Sequence, residues 1–256
     1  EISLGLVGSE MCIRDRVYAL GFRPIDTPPQ IYKAPDLRQE TGAMQTAVST
    51  DRKTQLELGE YQGVDCIRAK DGLLYAAAWN GAALKKRTSD LVRTDGGHAA
   101  AILSVEGELT GFAFDAAGDV WLTQLTTAGG TLCRAKHDSW GAAVERVVTQ
   151  LDGAPLGAVS AVEVSPAGKV YFAVAAAAGA ENGLESTLRT ELLAHTATGC
   201  VYVYDPAART VEKVLGGVAG AAGLALSPDG SILYVSDLGS RCIWAVDAAA
   251  RELTAG

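Results

Sequence analysis

Two aspartates lie within or at the end of apolar strand segments, where a carboxylate could take part in binding or catalysis. Asp237 ends the apolar segment SILYVSD, and Asp65 stands in the comparable segment GVDCIRA. Carboxylate oxygens are ligands for hard divalent cations, but aspartate is also a common turn-forming residue. Asp205 and Asp247 precede PAAR and AAAR, where turn formation explains them. Asp65 and Asp237 are therefore the carboxylates that we consider for a site.

Other kinds of catalytic or metal site find less support in the sequence. His98, His137 and His195 show no ligand spacing, and no G-x-S-x-G nucleophile motif occurs. The cysteines form no C-x-x-C pair, so neither a zinc ribbon nor a thioredoxin-type site is indicated. Cys200 and Cys242 occupy equivalent places in GCVYVYDPAAR and RCIWAVDAAAR. We interpret these two cysteines as buried positions of a structural repeat.

An internal repeat is the strongest signal in the chain. A short alternating strand, a turn with glycine and a second strand with an aromatic residue recur four times, as GVDCIRAKDGLLYAA, GFAFDAAGDVWLTQ, AVEVSPAGKVYFAV and GLALSPDGSILYVSD. The turn glycines can adopt the positive φ of tight turns. Each segment is therefore predicted to form a β-hairpin.

The repeats predict an all-β protein, a β-propeller of the six-bladed type. After two of the hairpins a second hairpin follows, around VYVYDPAARTVEKVL and IWAVDAAARELTAG, so each unit has about four strands. We assign residues 59–256 to a partial propeller with about four blades visible. Because a ring that lacks blades leaves open strand edges and a half-covered sheet, we expect the sequence to be a fragment.

Three segments depart from the repeat. An insert near residues 179–198, ENGLESTLRTELLAHTATG, is predicted to form a helical lid, with Asn182 and Glu185 at capping-box spacing and leucines at 184, 188 and 192. Residues 17–58 are rich in proline and read as an extended lead-in. Within residues 1–16, LVGSEMCIRDR matches the translation of a sequencing-adapter DNA, so we interpret this segment as foreign to the gene.

Composition restricts the partners of the protein. The formal net charge is −8 and the pI is about 4.9, which argues against binding to a nucleic-acid backbone. No apolar run is long enough to span a bilayer, so a membrane anchor is conceivable only before the present N-terminus. A small-molecule substrate is the expected partner.

The order of these motifs resembles the strictosidine synthase-like propellers, which include adipocyte plasma membrane-associated protein and are related to the gluconolactonase and paraoxonase propellers. The resemblance extends from about Leu56 to Gly256 and rests on LELGEYQGVDCIRAKDGLLYAAAWNG, VYFAV, the leucine-rich insert, GCVYVYDP and AAGLALSPD. It implies a propeller with a site in the central channel. It also favours an endomembrane or secretory location.

The resemblance implies a metal site with altered ligands. Metal-binding relatives hold a divalent cation with a carboxylate, two asparagines and a further aspartate, and these positions fall on Asp65, Ser160, Ala222 and Asp237. We predict Asp65, Asp237 and Ser160 as metal ligands. Because Ala222 supplies no oxygen and Ser160 only a hydroxyl, we expect calcium binding to be weak or absent.

The resemblance leaves the activity open. One hypothesis is a hydrolase of small esters or lactones, and another is a carbon–nitrogen lyase of the strictosidine synthase kind. The third is a non-catalytic propeller with a degenerate site that acts as a binding module. At Ala173–Ala176 the chain has apolar residues where the family has polar ones, which is compatible with the third hypothesis.

Overall fold

The computed structural model describes residues 18–20, 30–33, 54–57, 61–81, 84, 87–95, 98–142 and 144–249. The described part is nearly all β, which confirms the predicted fold class. The strands are β1 (Tyr18–Leu20), β2 (Gln30–Lys33), β3 (Thr54–Glu57), β4 (Gly63–Lys70), β5 (Leu73–Asn80), β6 (Thr88–Asp95), β7 (His98–Glu106), β8 (Glu108–Phe114), β9 (Val120–Thr126), β10 (Gly129–Ala135), β11 (Glu145–Val148), β12 (Gln150–Leu151), β13 (Ala154–Pro155), β14 (Val159–Val164), β15 (Val170–Val174), β16 (Gly199–Asp205), β17 (Thr210–Val218), β18 (Ala221–Leu226), β19 (Ile232–Asp237) and β20 (Cys242–Asp247).

The repeated hairpins follow from local turn chemistry. In the β8–β9 turn, Asp115 accepts hydrogen bonds from the backbone N–H groups of Ala117 and Asp119 at 2.9 and 3.0 Å. Gly118 completes this turn with a φ of 86°, and Gly168 has a φ of 78° in the β14–β15 turn. Glycine adopts this left-handed region without the steric cost that a Cβ adds. The predicted hairpins are therefore present with their turn glycines in the expected role.

Four sheets form successive propeller blades. Strands β4–β7, β8–β11 and β14–β17 each form a four-stranded antiparallel sheet in chain order, and β18–β20 form a three-stranded one. The first strand of each sheet packs against the first strand of the next, β4 on β8, β8 on β14 and β14 on β18. These four inner strands therefore surround a common axis.

Apolar side chains fill the space between neighbouring blades. Phe112 lies between the first and second blades, and Phe172 lies between the second and third; both are fully buried. Burial of one such side chain stabilises the fold by about 1.5–3 kcal/mol. On the last sheet, Ile232, Tyr234 and Ile243 are 37%, 39% and 70% exposed, because no sheet in the described part of the chain covers that face.

One arginine joins three inner strands. Arg68 on β4 donates hydrogen bonds to the carbonyl oxygens of Phe112 on β8 and Val162 on β14, at 3.1 and 3.2 Å. It also forms a salt bridge of 2.7 Å with Glu163. Since Arg68 is 5% exposed, loss of its partner would leave a buried charge unpaired, which costs about 3–5 kcal/mol. This residue fixes the inner strands relative to one another.

The insert contains a helix that differs in detail from its prediction. Helix α1 (Leu184–Ala194) begins after Gly183, which is its N-cap, so the predicted capping box at Asn182 is wrong. Thr187 and Glu191 are the buried residues of this helix, whereas Leu192 is 52% exposed. Leu184 and Leu188, two of the three leucines of the predicted apolar face, pack against the core between the second and third blades. Within the insert, the Thr187 hydroxyl donates to the Gly179 carbonyl at 2.8 Å and Glu191 accepts the Ala197 N–H at 3.1 Å.

The burial predicted for Cys200 and Cys242 differs from what the structure shows. Cys200 and Cys242 lie on the third strands of their blades, as the repeat implies, but Cys200 is only partly buried and Cys242 is exposed. The burial prediction is wrong for Cys242 because no fourth strand flanks β20 in the described residues.

Strands β1–β3 form a small sheet within residues 17–58, the range predicted as an extended lead-in. The segment predicted as foreign, residues 1–16, lies outside the described residues. Among the helices that the structure describes, none is long and apolar enough to cross a membrane.

Candidate functional site

A bulge marks the same point of every inner strand. The pairing register with the second strand skips one residue in each blade, between Val64 and Cys66, Leu109 and Gly111, Val159 and Ala161, and Ala221 and Gly223. The skipped residues are Asp65, Thr110, Ser160 and Ala222. A bulge turns its extra residue out of the ladder, so these side chains occupy equivalent positions around the axis. Thr110 is the one member that sequence reasoning did not identify.

Two members of this ring have hydroxyls that are already engaged. Ser160 Oγ donates to the carbonyl oxygen of Ala221 on the next inner strand at 2.6 Å, and Ser160 is 3% exposed. Thr110 Oγ1 donates to the Thr123 carbonyl at 3.1 Å, and Thr110 is also buried. Ala222 has a methyl group in the same place. Ser160 thus ties two blades together, Thr110 is bonded within its own blade, and Ala222 offers no polar group.

Asp237 is held in a turn at the end of β19. It pairs with Ala221 and is 1% exposed. Oδ1 accepts the Ser240 N–H and Oδ2 accepts the Trp244 indole N–H, both at 3.0 Å. Burial opposes ionisation of this carboxyl, but these hydrogen bonds outweigh burial and hold its pKa below the ordinary value. Both oxygens are therefore committed within the last blade.

Asp65 has the opposite environment. The side chain is open to solvent, yet many protein atoms lie around it. The loss of hydration and then the negative charge of Glu108 raise the pKa of Asp65 to about 7. The Trp79 indole and the Arg87 guanidinium oppose this shift. The Trp79 Nε1 atom is buried and makes no hydrogen bond of normal geometry in the structure.

Glu108 connects three parts of the molecule beside Asp65. It begins β8, is 4% exposed, and forms a salt bridge with Arg87, which precedes β6. Its other oxygen accepts the Leu184 N–H at 2.8 Å, the first residue of helix α1. A carboxylate is favoured there because the first N–H groups of a helix lack internal partners. Glu108 thereby takes the capping role that the sequence assigned to Asn182.

A cavity opens where the helix meets the ring. It has a volume of about 610 Å³ and is lined by Leu84, Arg87, Glu108, Thr127, Glu181, Asn182, Gly183, Glu185, Ser186 and Arg189. The charges of three lining residues, Glu108, Arg87 and Glu185, act on Asp65. The Arg87 guanidinium also stacks 4.3 Å from the centre of the Trp79 ring. The predicted lid therefore contributes to a cavity whose lining includes charged residues that act on Asp65, a carboxyl with a raised pKa.

The donors at this end of the ring do not fit a calcium ion. Calcium takes about six to eight oxygen ligands. Asp65 offers a carboxylate, but the oxygens of Ser160 and Asp237 are buried and engaged elsewhere. No cluster of three or more His, Cys, Asp or Glu side chains suited to a metal ion occurs in the described residues. The metal site of Asp65, Ser160 and Asp237 stays a prediction that these contacts do not favour.

Sequence reasoning did not identify Glu108, Arg87 and Trp79 as site residues. The strictosidine synthase-like propellers that the sequence resembles have Gly-Arg-Pro-Leu-Gly where this chain has Gly107–Gly111, and that departure was the available signal for Glu108. Arg87 and Trp79 carried no signal, because only the folded arrangement brings β5, β6 and β8 to the same end of the ring.

Solved structures with a similar fold are propellers of diverse function. A chain of a nidogen–laminin complex is 13% identical, with a TM-score of 0.60 over 86% of this chain and 72% of that chain. A gluconolactonase from Xanthomonas campestris is 10% identical, with a TM-score of 0.53 over 85% and 68%. TolB from Acinetobacter baumannii is 13% identical, with a TM-score of 0.55 over 93% and 53%. Identities this low show the fold alone.

The family of the chain is shown by comparison of its sequence with known families. No curated protein matches the chain. The profile described as "SMP-30/Gluconolactonase/LRE-like region" matches residues 127–256, half of the chain. The comparisons do not show the more specific resemblance to strictosidine synthase-like propellers. The chain belongs to the SMP-30/gluconolactonase/LRE-like family.

Proposed function

We propose that this protein hydrolyses small lactones or esters at the Asp65 end of the ring, with Asp65 as the general base. The observation that carries the proposal is the solvent-open Asp65 carboxyl, which has a pKa of about 7 and interacts electrostatically with three charged residues that line a cavity of about 610 Å³. A strongly shifted carboxyl beside a cavity is a common mark of a functional site. Family membership supports the reaction class.

The proposed reaction needs one proton acceptor and one water molecule. Ionised Asp65 removes a proton from water as the water oxygen attacks the carbonyl carbon. The carbon–oxygen single bond of the lactone then breaks, and protonated Asp65 returns the proton to the alkoxide that leaves. The products are the acid and the alcohol, joined in one hydroxy acid when the substrate is a lactone. A pKa of about 7 suits both proton transfers at neutral pH.

Arg87 and Glu108 supply the charges that surround this base. The Arg87 guanidinium lines the cavity and supplies positive charge near the point where the carbonyl oxygen becomes negative. Glu108 holds Arg87 on one side and the start of helix α1 on the other. Its negative charge also keeps Asp65 basic enough to accept a proton near neutral pH.

This route assigns no step to a cation. A channel cation in relatives of this kind would polarise the carbonyl, but the engaged oxygens of Ser160 and Asp237 and the methyl group of Ala222 leave few ligands for one. We therefore expect calcium binding to be weak or absent and the hydrolysis to be independent of it.

A hydrolysis assay of the full chain tests the proposal. Phenyl acetate and δ-valerolactone serve as substrates, with added calcium in one arm and EDTA in the other. We expect turnover of at least one substrate in both arms, with a rate that rises through about pH 7 as Asp65 ionises. Turnover that EDTA abolishes and calcium restores would contradict the metal-independent route. The absence of turnover in both arms would contradict the hydrolase.

A non-catalytic binding module is the second candidate. Ala173–Ala176 are all buried apolar residues where the family has polar ones, which favours a site that has lost groups. Tight binding of a lactone without its hydrolysis would support this candidate. The carbon–nitrogen lyase receives no support from the comparisons.

A further inference from the structure

A second cavity lies between the outer parts of the second and third blades. Its volume is about 530 Å³, and it shares no lining residue with the cavity near Asp65. The lining residues are Trp121, Arg134, Glu145, Arg146, Val147, Val148, Thr149, Gln150, Tyr204, Pro206, Arg209 and Val211. We call this cavity the arginine groove.

Three arginines and one carboxylate line the arginine groove. Arg134 forms a salt bridge of 2.5 Å with Asp119, which lies outside the lining. Neither Arg146 nor Arg209 forms a salt bridge with any residue that the structure describes. Glu145 is the one acidic residue of the lining. In a chain of net charge −8, this groove thus concentrates positive charge.

The side chains of Arg134 and Arg146 are held in place by neighbouring residues. The Arg134 guanidinium lies 5.2 Å from the centre of the Trp121 ring, and Trp121 packs against Tyr204 at 5.8 Å between ring centres. Arg146 Nη2 donates to Thr131 Oγ1 at 3.2 Å. Groups that are held before a ligand arrives lose less conformational freedom on binding.

The turn that carries Arg209 is also fixed. Its backbone has a φ of 57°, and its N–H donates to the Asp205 carbonyl at 2.7 Å. The side chain is exposed at the rim of the groove. Arg209 belongs to the third blade, whereas Arg134 and Arg146 belong to the second. A ligand in the groove therefore meets guanidinium groups from both blades.

We infer that the arginine groove binds a phosphate group, either free or as a small phosphate monoester. A guanidinium presents its donors in a planar fork that matches phosphate oxygens. A dianionic phosphate has oxygens directed to several sides and can engage arginines of both blades, whereas a carboxylate offers two oxygens in one plane. Most of the exposed surface of the lining is polar, which suits a small anion rather than an apolar ligand.

Binding of defined anions to the full chain tests this inference. The probes are inorganic phosphate, phenyl phosphate and acetate, measured by titration calorimetry at low ionic strength. We expect both phosphates to bind more tightly than acetate, and stronger binding of phenyl phosphate would assign the groove to a monoester rather than to free phosphate. Equal affinity for acetate, or no binding of either phosphate, would overturn the inference.

Variants locate the bound phosphate. Arg146→Gln and Arg209→Gln should each weaken phosphate binding about tenfold, because each removes charged hydrogen bonds. Glu145→Gln should strengthen it severalfold, since it removes a like charge from the groove. The matched control is Arg241→Gln, at another exposed turn with a φ of 54°, which should leave the affinity unchanged. An equal loss in the control, or no change in the three groove variants, would place the phosphate elsewhere.

Discussion

Asp65 in the first blade and Asp237 in the last blade are two carboxylates with opposite surroundings. Asp237 is buried, and both of its oxygens accept hydrogen bonds that favour the charged form. Asp65 is open to solvent, but many protein atoms lie around it and the negative charge of Glu108 acts on it. The pKa of Asp237 is lowered, and that of Asp65 is raised to about 7.

The difference shows that a strand position does not by itself define what a carboxylate does. The hydrogen-bond donors around Asp237 make it a structural group that stays ionised. Around Asp65, the loss of hydration and the negative charge of Glu108 outweigh the Trp79 indole and the Arg87 guanidinium, so Asp65 exchanges protons near neutral pH. The following predictions test whether these two roles can be separated.

Replacement of Asp65 should produce the largest effect. Asp65→Asn removes the proposed base, so we expect the rate of lactone or ester hydrolysis to fall about 10²- to 10⁴-fold. Steady-state kinetics on the full chain measures this loss. The control is Asp71→Asn in the exposed β4–β5 turn, where φ is 51° and asparagine is well tolerated. Similar rates for wild type and Asp65→Asn would remove Asp65 from the reaction.

Replacement of Asp237 should instead reduce stability. Asp237→Asn weakens buried charge-assisted hydrogen bonds, so the free energy of unfolding should fall by about 1–3 kcal/mol at neutral pH. Because the folded-state pKa is lowered, the stabilisation exists above the ordinary aspartate pKa and is lost as pH falls through the folded value. The deficit of the variant should therefore shrink in acid. Urea unfolding at neutral and acidic pH measures it.

Trp244→Phe provides a matched test of the same turn. It removes the indole donor to Asp237 and should lower the free energy of unfolding by about 1 kcal/mol. A loss in Trp244→Phe without any loss in Asp237→Asn would show that the ring, rather than the carboxylate, stabilises the turn.

Asp65→Asn should affect stability in the opposite direction to Asp237→Asn. Because the folded-state pKa of Asp65 is raised, its contribution is fully present below 3.8 and is lost as pH rises through about 7. At pH 8 the variant should thus gain about 1 kcal/mol relative to wild type, a figure reduced for the solvent exposure of the group. Urea unfolding at both extremes measures the gain. A constant difference across this range would mean that Asp65 is not destabilised by its charge.

Glu108→Gln should produce the smallest effect, a change in the pH dependence. Loss of the Glu108 charge should move the midpoint of the pH–rate profile toward acid by less than about one unit. Glu185→Gln is the matched comparison, because the Glu185 charge is the weakest of those that act on Asp65 and its side chain is 87% exposed. Its shift should be smaller. The reverse order would contradict the proximity of Glu108 to the base.

The sequence determines the blades better than the site. Turn glycines such as Gly118 and Gly168 and alternating strands are local signals, so hairpins and the propeller class were predictable. The positions of Asp65, Ser160 and Ala222 proved equivalent because the repeat itself fixes the bulges.

The contacts of the site could not be predicted because they join distant segments. Glu108 meets Leu184 across 76 residues of chain, and Ser160 meets Ala221 across 61. The helix start was assigned to Asn182 because capping-box spacing is local, whereas the real acceptor comes from another blade. The hydrogen bond that the Trp244 indole donates to Asp237 likewise depends on the pairing of β19 with β20.

The carboxyl pKa values of Asp65 and Asp237 test the account most directly. A carbon-13 NMR titration of the full chain, with both signals assigned through Asp65→Asn and Asp237→Asn, gives the two values in one experiment. The account predicts about 7 for Asp65 and a value below 3.8 for Asp237. Titration of Asp65 near 3.8, together with Asp237, would contradict the proposed division between a base and a structural carboxylate.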